Sequence, residues 1–261
     1  MFSIVIPTYK RDQDLAECLE SIRANTSLPV EILVLHGGFE STKEICRKYG
    51  AVSKLDHARE NGKRVRGLWA IINEGIKAAK YDYVMYLNDD CLALPGWDKI
   101  AASYFNKNDK LGILVLKSKG IGQVQEFRVV HQANGLPCAN YAILNKKTNA
   151  LFDENYNWFY GDPDIVCEIS AHTNFDIEET SENMVVHNHK LDETRLSNEN
   201  KKQELIDSTY FEKKWCFYKV SKENPLKLVK KNVIPALYTY FKILLKFKLD
   251  LYEINKSLKK E

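Results

Sequence analysis

The chain lacks most of the features that would place it quickly. None of its six cysteines (Cys18, Cys46, Cys91, Cys138, Cys167 and Cys216) forms a C-x-x-C pair. Neither a zinc site nor a disulfide framework is therefore signalled, and a reduced, cytoplasmic setting is expected. No uncharged apolar run approaches the roughly 20 residues that span a bilayer. Strand-like residues already begin at Phe2, so no signal peptide is expected. Charge of one sign is lacking too: 38 Lys plus Arg stand against 35 Asp plus Glu. That balance argues against nucleic acid as the partner. No internal repeat is visible.

What is present suffices for a substantial core. Hydrophobic residues make up 44% of 261 residues, enough for one large domain or one domain with an appendage. Apolar runs at residues 2–6, 30–35, 51–55 and 83–87 read as strands, because they are short and rich in β-branched or aromatic residues. Helical spacing separates them at residues 14–24, from Ser41 (with Ser41 and Glu44 at capping-box spacing), and at residues 69–79. Strand alternating with helix predicts a parallel sheet with helices on both faces. Further strands are expected at 112–116, 141–144 and 183–186, and helices at 98–105 and 165–171. Residues 118–140 read as irregular.

The central stretch is Tyr83-Val84-Met85-Tyr86-Leu87-Asn88-Asp89-Asp90. An apolar strand stops at three oxygen-bearing side chains, at the sheet edge where α/β folds place ligands. Adjacent carboxylates repel unless a cation is near, and hard divalent cations prefer such oxygens. A metal–phosphate site is one reading of this tripeptide. A strand-exit turn is the other.

Several pieces, taken in order, resemble the family 2 glycosyltransferases with the GT-A fold. Ser3-Ile4-Val5-Ile6-Pro7-Thr8-Tyr9 resembles the opening strand that places the nucleotide base. Asn73-Glu74-Gly75 and the run from Asp82 to Asp90 resemble the approach to the D-x-D motif. Leu94-Pro95-Gly96-Trp97 is similar to the segment just beyond that motif. Phe152-Asp153-Glu154 and Tyr160-Gly161-Asp162-Pro163-Asp164 resemble the acceptor stretch with its catalytic E-D pair, and Val185-Val186-His187 resembles the late histidine. The resemblance implies a GT-A type α/β fold, with a mostly parallel central sheet flanked by helices and a C-terminal helical extension. Its expected divisions are 1–215, with a nucleotide-sugar half at 1–117 and an acceptor half at 118–215, and a basic amphipathic tail at 216–261.

The resemblance also implies an activity: inverting transfer of a sugar from a UDP-, dTDP- or GDP-linked donor to a glycan or lipid-linked glycan. Mn²⁺ or Mg²⁺ would assist the diphosphate leaving group. Asp90 matches the metal-binding position, with His187 at the metal or diphosphate and His189 as its competitor. Asp89 and Asn88 match donor-contacting positions. Pro7, Thr8, Tyr9, Arg11, His36, Lys63, Arg66 and Asn73 complete the expected donor set. Asp162 matches the general base; a helix N-cap before Pro163 is its structural alternative. Trp158, Tyr160 and Asp164 are expected on the acceptor side, and acceptor specificity in residues 118–140.

Four positions depart from the family pattern. Ile72 stands where the family often has an Arg before Asn73. Three others bear on the function. His36 stands where an Asp usually meets the base, Asn88 opens the D-x-D position, and Gly161 replaces the Glu of the E-D pair. They motivate a second reading, a non-catalytic GT-A module that binds a nucleotide or protein. A sugar-1-phosphate nucleotidyltransferase is disfavoured, because Pro7-Thr8-Tyr9-Lys10-Arg11 has no glycine to cradle phosphates.

Residues 225–261 hold nine Lys against three acids, a charge of +6. Tyr240, Leu244, Phe247, Leu251, Ile254 and Leu258 make one helical stripe, and Tyr238, Phe241, Leu245, Leu249 and Tyr252 a second. Such a helix docks on its own body, pairs with a second copy through residues 236–258, or lies on an anionic membrane surface at the inner face of the plasma membrane.

Overall fold

The computed structural model describes residues 1–60, 63–122, 136, 141–189, 198–224 and 227–258. The first half alternates strand and helix: β1 (Phe2–Thr8), α1 (Asp12–Asn25), β2 (Val30–His36), α2 (Glu40–Lys48), β3 (Val52–Leu55), the small pair β4 (Arg59–Glu60) and β5 (Lys63–Arg64), α3 (Leu68–Ala78) and β6 (Tyr83–Tyr86). Then come β7 (Cys91–Ala93), α4 (Trp97–Lys107), β8 (Leu111–Gly122), β9 (Ala142–Asn145), α5 (Gly161–His172) and β10 (Asp176–His189). The chain continues through α6 (Asn198–Trp215), the strands β11 (Tyr218–Val220) and β12 (Leu228–Lys230), and α7 (Val233–Leu258).

Eight strands form the main sheet in the order β3-β2-β1-β6-β9-β8-β10-β7. β3, β2, β1 and β6 are mutually parallel, as the alternation requires. β9 enters antiparallel between β6 and β8, and β7 closes the edge antiparallel to β10. The central strands are apolar at successive positions because both sheet faces are covered. Phe2, Ile4 and Ile6 pack with Leu15, Leu19 and Ile22 of α1 and Trp97 of α4. Val5, on the other face, belongs to a second cluster with Ile72 and Ile76 of α3, Ile165 of α5 and Phe211 and Trp215 of α6. The five described cysteines are buried free thiols, as the lack of a disulfide pattern predicts.

Several boundaries differ from the sequence reading. α2 begins at Glu40 with Phe39 as N-cap, so Ser41 lies inside the helix and no capping box forms. β8 runs on to Gly122, into the stretch expected to be irregular, because β10 pairs alongside it. Residues 123–135 and 137–140 lie outside the described residues, and with them most of the expected acceptor-specificity stretch. α5 starts at Gly161, four residues earlier than expected. The tail is not helical throughout, because β11 and β12 pair as an antiparallel ribbon before α7. α7 docks against α6 through one stripe: Ala236 is buried, and Tyr240, Leu244, Phe247 and Leu251 are half-buried.

A buried polar tie fixes α6 to α5. The Asp164 carboxylate accepts from Tyr156 Oη at 2.9 Å and Trp215 Nε1 at 2.7 Å, and pairs with Lys214 Nζ at 2.8 Å. Lys214 also reaches Asp153 at 2.9 Å and Glu168 at 2.8 Å. Removing one partner of such a buried cluster leaves the others uncompensated. Asp164→Ala is expected to cost about 3–5 kcal/mol of unfolding free energy, read as a lower urea midpoint; a change within experimental error would show that the tie is dispensable.

Candidate functional site

The site forms where strand ends meet. β1 and β6 are parallel neighbours, so Thr8 and Asp89 leave the sheet side by side, and Thr8 Oγ1 donates to Asp89 Oδ2 at 2.7 Å. β10 pairs with β7 in the register His187 opposite Cys91. That register brings His187 beside Asp90, with Nε2 3.1 Å from Oδ1. Asp89 and Asp90 are both nearly inaccessible, at 5% and 3% exposure. Arg11 bridges them, with Nη1 3.3 Å from Asp89 and Nη2 3.2 Å from Asp90. Burial lowers the affinity of this guanidinium for its proton, but Asp89, Asp90 and Asp14 outweigh it and hold the group charged.

Burial lifts the Asp89 carboxyl to about 6, against the opposing pull of Arg11 and Thr8. Asp90, Cys91 and His187 offer ligand atoms within 4.8 Å of one another. The Cys91 thiol is pushed well up, first by burial and then by Asp90; its soft sulfur suits a hard divalent cation poorly. What remains is carboxylate oxygen and imidazole nitrogen, a donor set that fits a divalent cation such as Mn²⁺.

Tyr141 connects this cluster to the second half of the site. Its hydroxyl lies 2.8 Å from His187 Nδ1 and accepts from Asn88 Nδ2 at 3.3 Å. It also feels the charge of Asp162. Asp162 is the second residue of α5. The N-cap is Tyr160, in a left-handed conformation at φ 66°, so Asp162 is not the cap before Pro163. Part of the Asp162 surface is open, yet the protein around its carboxylate desolvates it and pushes the pKa well up; a hydrogen bond from Tyr86 Oη opposes the shift. Behind Tyr86 stand Phe152 and Trp69, with ring centroids 5.0 Å and 6.4 Å away.

Trp69 accounts for the departure at Gly161. A Cβ there would come well under 3.0 Å from the Trp69 ring. The place that a Glu side chain would leave from is filled by indole.

The remaining expected residues divide into those near the site and those used elsewhere. Pro7 and Tyr9 flank Thr8 at the end of β1, and Tyr9 packs edge-on against Phe39 at 5.5 Å. Trp158 is 40% exposed. Its N–H and those of Asn157 and Phe159 donate to Asp207 of α6 at 3.0, 3.3 and 3.0 Å. Tyr160 is buried against Phe211, and Asp164 is spent on the α5–α6 tie, so neither presents its side chain to an acceptor. Asn73 clasps the Phe152 backbone in both directions, at 2.8 and 2.9 Å, and organises the fold instead of meeting a donor. His36 is buried: its Nδ1 accepts from Gly38 N–H at 3.0 Å, and its Nε2 meets Ser53 at 2.7 Å. Both ring nitrogens are thus occupied, and burial lowers its pKa, so it stays neutral. Arg66 pairs with Glu74 of α3. The side chains of Lys63 and His189 lie outside the described residues.

These elements and this geometry agree with what comparison finds. The family model described as Glycosyl transferase family 2 matches residues 3–169. The chain belongs to glycosyl transferase family 2. Among relatives of this family 2 chain, the uncharacterized glycosyltransferase YwdF of Bacillus subtilis is 37% identical over 94 residues, 36% of this chain and 34% of YwdF. Chondroitin synthase of Escherichia coli is 35% identical over 97 residues, 36% of this chain and 14% of that protein. The matches thus span about a third or less of these relatives. Among solved structures, S. aureus TarS 1–349 superposes with a TM-score of 0.62 at 15% identity, covering 85% of this chain and 67% of that one. The mannosyltransferase PcManGT from Pyrobaculum calidifontis, solved with GDP-Man and Mn²⁺, gives 0.60 at 13% identity over 99% and 74%. At that identity the likeness establishes the GT-A fold.

Tyr86, Tyr141, Trp69 and Asp207 were not singled out by the sequence. They sit at ordinary strand, helix or loop positions, and only their neighbours give them a role. The raised Asp89 carboxyl has a measurable consequence. The negative charge of Asp89 favours a cation at neighbouring Asp90, so Mn²⁺-dependent nucleotide binding followed by calorimetry is expected to weaken as pH falls through about 6. Binding that strengthens toward acid pH would contradict this assignment.

Proposed function

We propose that the chain transfers a sugar from a nucleotide diphosphate to a hydroxyl of a glycan or lipid-linked glycan, with inversion, in cell-surface polysaccharide synthesis on the cytoplasmic side. The observation that carries this reading is the run of contacts from Thr8 through Asp89, Asp90 and His187 to Tyr141, whose hydroxyl feels the charge of Asp162. It supports reading Asp90 and His187 as a cation-binding pair near a desolvated carboxylate. Family membership supports the class of reaction, and structural relatives solved with UDP-GlcNAc or with GDP-Man and Mn²⁺ support the donor class.

In this reading Asp90 and His187 hold a divalent cation such as Mn²⁺, with Asp89 facing the donor. A cation held there would neutralise charge growing on the departing diphosphate. Arg11 occupies the carboxylates when they have no other cation, and its guanidinium is suited to phosphate oxygens once they do. Asp162 takes the proton of the acceptor hydroxyl, whose oxygen forms the new bond to the anomeric carbon as the bond to the diphosphate breaks. Its raised pKa makes it a stronger base, and the aromatic wall of Tyr86, Phe152 and Trp69 sustains that shift by excluding water. Trp158 offers an exposed ring to an acceptor sugar. Tyr9 and Phe39 offer ring surface for the donor base.

Tight binding of one of UDP, dTDP or GDP that needs Mn²⁺ and disappears in Asp90→Ala is the expected result of a calorimetric panel. Absence of any such binding would favour a non-catalytic nucleotide- or protein-binding module. Asp162→Asn is expected to lower kcat by about 10²–10⁴ while leaving donor binding intact. Tyr86→Phe removes a hydrogen bond that favours the charged carboxylate. The acid limb of its pH–rate profile is therefore expected to move to higher pH; a shift to lower pH, or full activity in Asp162→Asn, would remove Asp162 from the base role.

A further inference from the structure

α7 uses only one of its two apolar stripes to dock on the body. The other carries Ile234, Tyr238, Phe241, Leu245, Leu249 and Tyr252, which are 60–83% exposed. At 1.5 Å per residue this row is about 27 Å long. Apolar surface that extended marks a contact site. Lys242 and Lys246 border it on one side and Lys248 on the other, at the 100° per residue of an α-helix. The Lys242 ammonium stands 4.5 Å from the centroid of the Tyr238 ring, so its stem runs along the apolar row while its charge lies at the rim. The one acid on α7 whose side chain is described, Asp250, is half-buried toward the body.

We propose that this face of α7 is a docking surface for an anionic lipid bilayer, with the helix lying flat in the headgroup layer. Charge decides between the possible occupants. Residues 225–261 carry +6 and the remainder of the chain −3, so the positive excess belongs to this segment alone. Two copies packed face to face would bring lysine rims against lysine rims, with no acid among the described side chains between them, and such pairs repel. An anionic bilayer meets both features at once, accepting the aromatic and leucine side chains below its headgroups and the lysines among its phosphates. No helix among the described residues is long and apolar enough to cross a membrane, so the contact is with the surface.

Flotation with phosphatidylcholine vesicles, with and without added phosphatidylglycerol, tests this directly. The chain is expected to float with the anionic vesicles, to stay behind with the neutral ones, and to be released by salt. Lys242→Gln and Lys246→Gln should each lower partitioning about fivefold, and Phe241→Gln by about tenfold or more. These side chains are exposed, so the variants keep the fold, checked by unchanged Mn²⁺-dependent nucleotide binding or, failing such binding, by an unchanged urea midpoint. Equal binding to neutral vesicles would overturn the anionic assignment. Failure to bind either vesicle, with a concentration-dependent dimer in sedimentation that Phe241→Gln abolishes, would hand the face to a second copy of the chain. Failure to bind with no dimer would also overturn the proposal.

Discussion

Two adjacent carboxylates, both buried at the end of a strand, constrain everything around them. Asp89 and Asp90 can stay charged together only if cations or donors surround them. The fold supplies Arg11 from the start of α1, Thr8 from the end of β1 and His187 from β10. Each comes from a different part of the chain, so the sheet order must hold for the site to exist. Burying charge without its partners costs several kcal/mol, a large fraction of the stability of an ordinary domain. Arg11 meets this demand within the protein.

Asp162 is governed by the opposite tendency. No cation among the described residues is within salt-bridge range of it, and burial raises its affinity for a proton, moderated by Tyr86. The two carboxylate environments therefore diverge, one built around cations and one around exclusion of water. Such separation assigns distinct roles to chemically similar groups. Gly161 belongs to the same device. The Trp69 ring that closes the aromatic wall leaves no space for a side chain there.

The C-terminal helices bear on the site indirectly. Asp207 on α6 gathers three successive N–H groups of residues 157–159, and Lys214 gathers Asp153, Asp164 and Glu168. The loop that leads into Asp162 is thus held from α6, and the stripe of α7 that rests on α6 extends the same scaffold. One consequence is geometric: the exposed row of α7 belongs to a helix fixed to the element that holds the loop leading into α5.

By itself the sequence determined the alternation of strand and helix, the strand ending at Asn88-Asp89-Asp90, and the acidic first turn of α5. These are local properties, written in side-chain periodicity and in residues a few positions apart. Helix starts were less legible, because the packing of Phe39 and Tyr160 sets them more than the capping pattern does. The pairing of His187 with Asp90, the tyrosine link to Asp162 and the roles of Asn73, His36 and Asp164 were decided only by the tertiary structure. Asn73 and Asp164 stand in motif positions but turn into the core. His36 is silenced by Ser53 and Gly38, neighbours that a linear reading does not weigh. The reason is physical. A side chain's protonation and partners depend on burial and on atoms within a few ångströms, and both are set by strands meeting across the sheet at sequence separations that carry no local signal.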